Sequence, residues 1–228
     1  MRSASGADET PNLPQDLRSD HDAFARALRP WIAGRPDGAG EFHLLTRYGA
    51  LVHDHSSRLS LIAQADRPCV FTRHVLDSLN PVSLFESPPS SALDLGSGAG
   101  LPGIPLAIVW PSCRFVLVES REKKAGFLER AVRELGLENV EVACARIEDL
   151  EVSATSALPA HAAFIRALGG LPDVLANVSR VCTSGSAWVY FVGSGARAEA
   201  TVADLERAGV NHERVTGQFG GGLLLGSF

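Results

Sequence analysis

One stretch of the chain combines an acidic residue with closely spaced glycines. Asp94 lies in an apolar run, and a second apolar segment begins at Ile104. Four glycines lie between them, namely Gly96, Gly98, Gly100 and Gly103. This order predicts a β-strand, a tight glycine loop and the start of a helix. Glycines permit positive φ angles and let a ligand approach the backbone closely, and the free N–H groups at a helix start can hold a polar ligand.

Two classes of nucleoside cofactor are consistent with this loop. Gly98, Gly100 and Gly103 satisfy the G-x-G-x-x-G pattern of dinucleotide-binding proteins. The stretch resembles more closely the acid-x-Gly-x-Gly-x-Gly loop of class I methyltransferases, which bind S-adenosylmethionine. We favour that cofactor, because a carboxylate at Asp94 opposes a pyrophosphate but can pair with a cationic amino-acid end. Pro102 also removes a backbone donor that a pyrophosphate would use. A glycine-rich turn without a ligand is the third interpretation.

Further polar residues follow the later apolar strands. Glu119 ends the second strand, where its carboxylate can accept hydrogen bonds from both ribose hydroxyls of either cofactor. Ile147 and Glu148 follow the third strand, at the turn that lies beside the adenine in the methyltransferases that the loop resembles. Ile147 would pack on the ring, and Glu148 or its backbone would meet the polar edge. An exposed strand-end acid and a plain acidic helix start are the structural alternatives.

Basic and imidazole side chains lie on two other predicted elements. Arg166 stands at the end of the fourth strand, where a charge usually faces the ligand crevice or pairs with an acid. Arg73 and His74 lie in a helix upstream of the sheet. His74 has the chemistry of an acid–base group, but composition alone favours a structural role for a lone histidine in an apolar helix.

The hydrophobic pattern predicts the elements that position these residues. Residues 1–20 are polar and indicate a mobile tail. Residues 21–85 show apolar stripes at helical spacing and form an N-terminal helical cap, with a first helix from Asp22 and a third over Pro68 to Leu79. Residues 86–228 alternate strands and helices and end in two short strands. This alternation predicts an α/β, Rossmann-like domain with a mostly parallel seven-stranded sheet and helices on both faces.

Composition limits the classes of function. The 228 residues can bury one sizeable core, and the net charge of −5 gives no global attraction to nucleic acid, although a local basic face remains possible. The four cysteines are widely spaced and form no C-x-x-C pair, so we expect no metal site. No apolar run approaches the ~20 residues that span a bilayer, and no signal pattern is present. We therefore expect a cytoplasmic protein with no membrane partner.

Longer runs of sequence resemble one family. Asp94 to Pro105, DLGSGAGLPGIP, is close to its D-V-G-[ST]-G-x-G-[LF]-P-G-I-P block, and Arg73 to Leu79 is similar to its R-H-x-x-D-S-L block. The run VESREKKAGFLERAVRELGLENVEV resembles the segment that follows the glycine block. The family is the small-subunit ribosomal RNA guanine-N7 methyltransferases, also called glucose-inhibited division protein B. The resemblance spans roughly residues 42 to 193.

The resemblance implies a fold, a donor and an acceptor. The fold would be the class I methyltransferase fold, the donor S-adenosylmethionine, and the acceptor a guanine in small-subunit ribosomal RNA, met as RNA or as a small ribosomal subunit. We expect a monomer. Carried over by position, the residues touching the cofactor would be Gly96, Leu101, Ile147, Glu148 and Arg166. Arg73 and His74 would lie on the substrate side.

The chain departs from the family pattern at several positions. Val192 stands where the family commonly has a lysine, and His161 stands where the fourth strand usually begins with aspartate. The lost lysine would weaken phosphate contact without touching the cofactor loop, so we interpret the chain as a divergent member. Two other functions remain open. One is methylation of a small molecule or protein by the same fold, and the other is cofactor binding without RNA methylation.

Overall fold

The computed structural model describes residues 13–152, 155, 157–193 and 195–228. The chain divides into two compact units, with the division between Leu76 and Asp77. Most of the predicted tail, residues 1–12, lies outside the described residues. The predicted division into a tail, a cap over 21–85 and a domain over 86–228 stays a prediction.

The first unit contains two long helices, α1 (Gln15–Ile32) and α2 (Gly38–Leu59). The prediction that α1 begins at Asp22 is wrong, and residues 15–20 are helical instead of part of a tail. Leu17 is fully buried and extends the apolar face of Phe24 and Leu28 by two turns, while its neighbours Asp16 and Arg18 are exposed.

The third predicted helix, Pro68 to Leu79, is not one α-helix. The chain forms a 3-10 segment over Gln64–Cys69 and a π-helical turn over Phe71–Leu76. The buried Asp20 carboxylate of α1 accepts hydrogen bonds from the N–H of Phe71 (2.7 Å) and the N–H of Thr72 (3.3 Å). These amides therefore bond outside their own helix, and Pro68 supplies no amide hydrogen. Both effects oppose a regular α-helix.

The second unit begins with 3-10 turns over Asp77–Leu84 and continues into the sheet. The strands are β1 (Ser91–Leu95), β2 (Arg114–Val118), β3 (Val140–Ala143), β4 (Ala160–Arg166), β5 (Cys182–Phe191), β6 (Glu213–Thr216) and β7 (Gly222–Ser227). The helices between them are α3 (Gly103–Val109), α4 (Glu122–Leu135), α5 (Leu171–Ser179) and α6 (Ala196–Arg207). The strand order is β3-β2-β1-β4-β5-β7-β6.

The sheet is parallel from β3 through β5, and β7 runs antiparallel to both β5 and β6. This confirms the predicted seven-stranded, mostly parallel sheet. The register pairs Leu95 at the end of β1 with Val118 of β2 and Ile165 of β4, so the carboxyl ends of these three strands lie side by side. The strand order reverses between β1 and β4, which is where ligands bind in open parallel sheets.

Alternate side chains of the strands enter two cores. On one face, Leu95, Ile165 and Tyr190 pack with Leu175 of α5 and Leu205 of α6. On the other face, aromatic rings cluster with centroids 5.5–6.4 Å apart. That cluster consists of Phe85, Trp110, Phe115 and Phe164. The burial of both faces fixes the strand ends that carry the candidate site.

Two negative findings apply to the described residues. No helix among them is long and apolar enough to cross a membrane. Within the same part of the chain, no group of three or more His, Cys, Asp or Glu side chains is arranged to hold a metal ion.

Candidate cofactor loop and adjoining cavity

The predicted glycine loop connects β1 to α3 at the carboxyl edge of the sheet. Gly96, Gly98 and Gly100 all have positive φ angles, of 68°, 57° and 92°. These backbone conformations are costly for residues with a Cβ, which explains the alternation of glycines. Ser97 ties the loop to the sheet, because its N–H donates to Val118 O (3.0 Å) and its hydroxyl donates to Asp94 O (2.8 Å).

Asp94 holds the start of α3 from inside the sheet. Its side chain is fully buried, and Oδ2 accepts a hydrogen bond from the N–H of Gly103 at 3.1 Å. A Cβ at position 103 would lie 2.7 Å from Oδ2, so only glycine fits this approach. Oδ1 has no hydrogen-bond partner among the described residues. Burial is the main cause that raises the pKa of Asp94 to about 7, against the lowering effect of the Gly103 hydrogen bond.

Glu119 bridges the loop and the start of α4. Its carboxylate accepts hydrogen bonds from the N–H of Gly98 at Oε2 (3.0 Å) and from the N–H of Arg121 at Oε1 (2.9 Å). A carboxylate offers about four acceptor positions, so each oxygen of Glu119 keeps one for a further donor. The structure therefore presents two acceptors, side by side, next to the glycine loop.

Leu101 and the turn after β3 occupy the remaining predicted cofactor positions. Leu101 is buried, and its N–H donates to Ser97 O (3.2 Å). The turn after β3 is a 3-10 segment, Ile147–Asp149, whose Ile147 packs on the core while the Glu148 side chain is exposed. Arg180 donates to the backbone carbonyl of Glu148. The N–H of Glu119 donates to Ala143 O (3.1 Å), so the end of β3 lies beside the Glu119 position.

Arg166, at the end of β4, pairs with polar residues of the second unit, and the segment that follows it contacts the glycine loop. Its Nη2 lies 3.2 Å from Asp77 Oδ2, its Nη1 donates to Ser78 Oγ (3.3 Å), and its Cζ lies 5.6 Å from the ring centroid of Phe191. Two residues further on, Leu168 packs against Gly96, where an added Cβ would lie 2.8 Å from Leu168 Cδ2. The chain after β4 therefore contacts the glycine loop.

A cavity of about 220 Å³ opens beside Arg166, at the carboxyl ends of β4 and β5 and against the start of α6. Its walls combine one acid, two arginines, aromatic rings and small residues. They are formed by Asp77, Arg166, Ala167, Tyr190, Phe191, Val192, Gly193, Arg197, Ala198 and Thr201. A charged, partly aromatic cavity next to a ligand-binding loop is suited to a second, polar and planar ligand.

Asn80 holds Asp77 in this cavity. The Asn80 Nδ2 donates to Asp77 Oδ1 (2.8 Å), and Asn80 Oδ1 accepts from the N–H of Phe219 (2.8 Å) and the N–H of Gly221 (3.1 Å). Asn80 is itself buried. The turn between β6 and β7 thereby fixes the carboxylate that pairs with Arg166.

The predicted substrate-side residues Arg73 and His74 lie in the first unit. Both pair with Asp66, at 3.1 Å from Arg73 Nη1 to Oδ1 and at 3.3 Å from His74 Nε2 to Oδ2. The Arg73 side chain is 67% exposed, whereas His74 is 12% exposed. Their predicted role toward substrate stays a prediction.

Sequence reasoning missed Asp77, Asn80 and Arg197 as site residues. Asp77 is the acid of the R-H-x-x-D-S-L block, but no pattern in the sequence indicates that it pairs with Arg166. Asn80 and Arg197 lie in segments without any recognisable signal. All three reach the site only through the tertiary arrangement of the second unit.

Comparison with known proteins identifies the family. Residues 41–217 match the family model described as rRNA small subunit methyltransferase G. The chain belongs to this family. It is 39% identical over 150 residues to ribosomal RNA small subunit methyltransferase G of Paracoccus denitrificans, covering 65% of this chain and 75% of the relative. It is 37% identical over 161 residues to the protein of the same name from Acidiphilium cryptum, covering 70% and 71%.

Solved structures confirm the fold. Precorrin-6y C5,15-methyltransferase from Geobacter metallireducens is similar with a TM-score of 0.52 and 17% identity, over 67% of this chain and 87% of that one. A SAM-dependent methyltransferase from Aquifex aeolicus has a TM-score of 0.51 and 17% identity, over 67% and 91%. At this identity the likeness shows the fold alone, and it is the predicted class I, Rossmann-like methyltransferase fold.

Proposed function

We propose that this chain transfers a methyl group from S-adenosylmethionine to N7 of a guanine in small-subunit ribosomal RNA. Family membership over residues 41–217 supports methyl transfer to ribosomal RNA. The choice of N7 rests on the sequence resemblance described above. In the structure, the observation that carries the proposal is the Glu119 carboxylate, which bonds Gly98 and Arg121 and keeps two acceptor positions beside the glycine loop.

The residues of this edge fit S-adenosylmethionine. At Gly98 an added Cβ would meet Gly96 O at 3.7 Å and no other atom of the described residues within 4 Å, so a ligand can approach the loop backbone there. Among the described residues Asp94 Oδ1 has no hydrogen-bond partner, but the carboxyl is fully buried at the base of the loop and its pKa is raised to about 7. Asp94 therefore shapes the loop through Gly103, and the pairing with a cationic amino-acid end that the sequence predicts is not available to a side chain without exposed surface. The two remaining acceptors of Glu119 match the two hydroxyls of a ribose.

The chemistry requires little acid–base work from the protein. S-adenosylmethionine supplies a sulfonium methyl group that is already activated for transfer. Guanine N7 carries a lone pair and no hydrogen, so no general base is needed. The residues of the site therefore act by fixing the donor, presenting N7 in line and excluding water. We expect the single-turnover rate to show no steep pH dependence that His74→Ala removes. A steep pH dependence in wild type that is lost in His74→Ala would indicate that His74 acts as a general base.

Roles for the individual residues follow from this proposal. Those assigned to the cofactor side are Asp94, Gly96, Gly98, Gly100, Leu101, Glu119, Ile147, Glu148 and Arg166. Asp94 acts by shaping the loop, since its side chain has no exposed surface. Arg73, His74 and Arg166 are assigned to the acceptor side. The protein acts in the cytoplasm as a monomer on small-subunit RNA or on the subunit, with a helical cap preceding the methyltransferase domain.

The test is transfer of labelled methyl from S-adenosylmethionine to small ribosomal subunits that lack N7 methylation. Cleavage at 7-methylguanine maps the product. Gly96→Asp is the inactive control, because its side chain would collide with Leu168 at a positive φ. Label at one guanine, absent with the control, is the expected result. Absence of label while the cofactor still binds would remove the ribosomal acceptor.

A further inference from the structure

We propose that the cavity beside Arg166 receives the acceptor base and that Asp77 binds the Watson–Crick edge of guanine there. This inference rests on the proposed function and names the part of the site that selects the base. It assigns Asp77 a direct contact with the substrate.

The position of the cavity agrees with a base that must meet the methyl donor. The cavity lies at the carboxyl ends of β4 and β5, on one side of the point where the strand order reverses. The glycine loop lies on the other side of that point. Leu168, two residues after Arg166, packs against Gly96 of the loop. An acceptor in the cavity would therefore be a neighbour of a donor held by the loop, as direct transfer requires.

The size and walls of the cavity suit one base. Its volume of about 220 Å³ is below the roughly 300–1,000 Å³ of sites for drug-sized ligands. Tyr190, Phe191 and Val192 supply an apolar wall, and Arg166 supplies a guanidinium group. Enzymes that modify a nucleobase bind it, turned out of its stack, in such a small pocket and read its Watson–Crick edge.

The charge distribution favours guanine over a phosphate. Among the lining residues Asp77 is the acid, and a carboxylate repels a phosphate placed beside it. Its oxygens already accept from Arg166 and from Asn80, and each keeps a position for another donor. Guanine offers two adjacent donors on its Watson–Crick edge, the N1–H and the N2 amino group. Adenine presents an acceptor at N1 instead, so the same carboxylate discriminates against it.

The same contact assists the reaction. Methylation at N7 makes the purine ring cationic, and part of that charge reaches the N1–H. A carboxylate that accepts this hydrogen is therefore better matched to the product-like state than to the neutral base. Burial is the largest influence and raises the pKa of Asp77 above its ordinary value, while the neighbouring Arg166 guanidinium and the Asn80 hydrogen bond oppose that shift.

The first experiment measures single-turnover methyl transfer to small subunits that lack N7 methylation. We expect Asp77→Asn to lower the rate at least about thirty-fold and to leave the dissociation constant of S-adenosylmethionine within about twofold. The matched control is Asp204→Asn. That carboxylate lies on α6, pairs with Arg207 at the surface and does not line the cavity. We expect the control to transfer at the wild-type rate.

A second measurement tests whether Asp77 contacts the base directly or only holds Arg166 in place through their ion pair. Subunits are reconstituted with inosine, which lacks the 2-amino group, in place of the mapped guanine. Wild type is expected to lose about tenfold in rate on inosine, whereas Asp77→Asn is expected to lose less than about twofold. The wild-type comparison stands alone if the variant does not fold.

The outcomes distinguish the two levels of proposal. Wild type that binds the cofactor and labels no subunit overturns the ribosomal function and the base assignment with it. Wild type that labels guanine and inosine equally, or Asp77→Asn that transfers within about threefold of wild type, overturns the base assignment alone. If wild type and Asp77→Asn lose the same factor in rate on inosine, Asp77 acts only by holding Arg166 through the ion pair. That result also overturns the base assignment.

Discussion

The loop side and the cavity side of the carboxyl edge are built in different ways. On the loop side, Asp94, Gly98, Gly103 and Glu119 are close in sequence and are joined through backbone amides. On the cavity side, Asp77 and Arg166 come from distant segments and meet through charged side chains. A backbone-built loop can serve any reaction that uses the same donor. A cavity made of side chains is where one acceptor can be distinguished from another.

Gly103→Ala should have the largest effect and act on the loop side. The added methyl group would lie 2.7 Å from Asp94 Oδ2, in a contact that cannot relax without moving β1 or α3. We expect at least a hundredfold loss of cofactor affinity and about 1–3 kcal/mol loss of stability. Calorimetric titration and urea unfolding measure both. Gly126→Ala in α4 is the control, because no atom from elsewhere in the described part of the chain lies within 4 Å of its Cβ position. Normal affinity in Gly103→Ala would contradict the tight packing.

Glu119→Gln should weaken the cofactor next most strongly. One of the two amides that Glu119 binds, at Gly98 or at Arg121, would then face an NH₂ group, and an anionic acceptor for hydroxyls would be lost. The loss of a hydrogen bond to a charged group is worth about 1.5–3 kcal/mol, or roughly ten- to a hundredfold in affinity. The exposed Glu122→Gln is the matched control. Equal dissociation constants in both variants would remove Glu119 from the cofactor site.

Asn80→Ala should affect the cavity side alone. It removes the group that holds Asp77 and leaves the N–H groups of Phe219 and Gly221 without their acceptor. We expect methyl transfer to fall about five- to tenfold, with about 1–3 kcal/mol lost from stability and little change in cofactor affinity. Single-turnover rates and titrations on the same preparation test this. An equal loss in both quantities would show that the two sides do not function separately.

Asp94→Asn should give the smallest effect, and its sign depends on pH. Burial raises the pKa of Asp94 from its ordinary value of 3.8 to about 7, so the folded state favours the protonated carboxyl. The stability from this group is present at low pH and is lost as the pH rises toward about 7. The amide cannot ionise. We therefore expect the Tm of Asp94→Asn, relative to wild type, to rise by a few degrees between pH 5 and pH 8. A Tm difference that is constant with pH would contradict the raised pKa.

The sequence allows the loop side to be predicted almost completely. The block from Asp94 to Pro105 contains the acid, the glycines and the helix start in one run, and the structure places them at the carboxyl edge of β1 as expected. The parallel part of the sheet can also be predicted, because its strands are short apolar runs that alternate with helical segments. The loop depends on interactions within a few tens of residues, whereas β1 pairs with β4 across 70 positions, a pairing that the strand–helix alternation predicts only as a class of fold.

The cavity side and the third helix could not be predicted in this way. Asp77 pairs with Arg166 across 89 positions of the chain, and Asn80 bonds Gly221 across 141. The helix predicted over Pro68 to Leu79 fails because a carboxylate from α1, Asp20, takes its amide hydrogens. Side-chain contacts between distant segments decided each of these cases, and hydrophobic periodicity carries no information about them.

The hydrogen bonds between Asn80 and the turn that connects β6 to β7 have a consequence for biosynthesis. The glycine loop and its Glu119 partner leave the ribosome about a hundred residues before Gly221, which completes the support of Asp77. Because chains fold progressively from the amino terminus during synthesis, a nascent chain can acquire the cofactor loop well before its acceptor cavity is complete. The chain would then become able to modify RNA only when its last two strands are complete. A partly synthesised chain would bind the methyl donor without being able to transfer the methyl group.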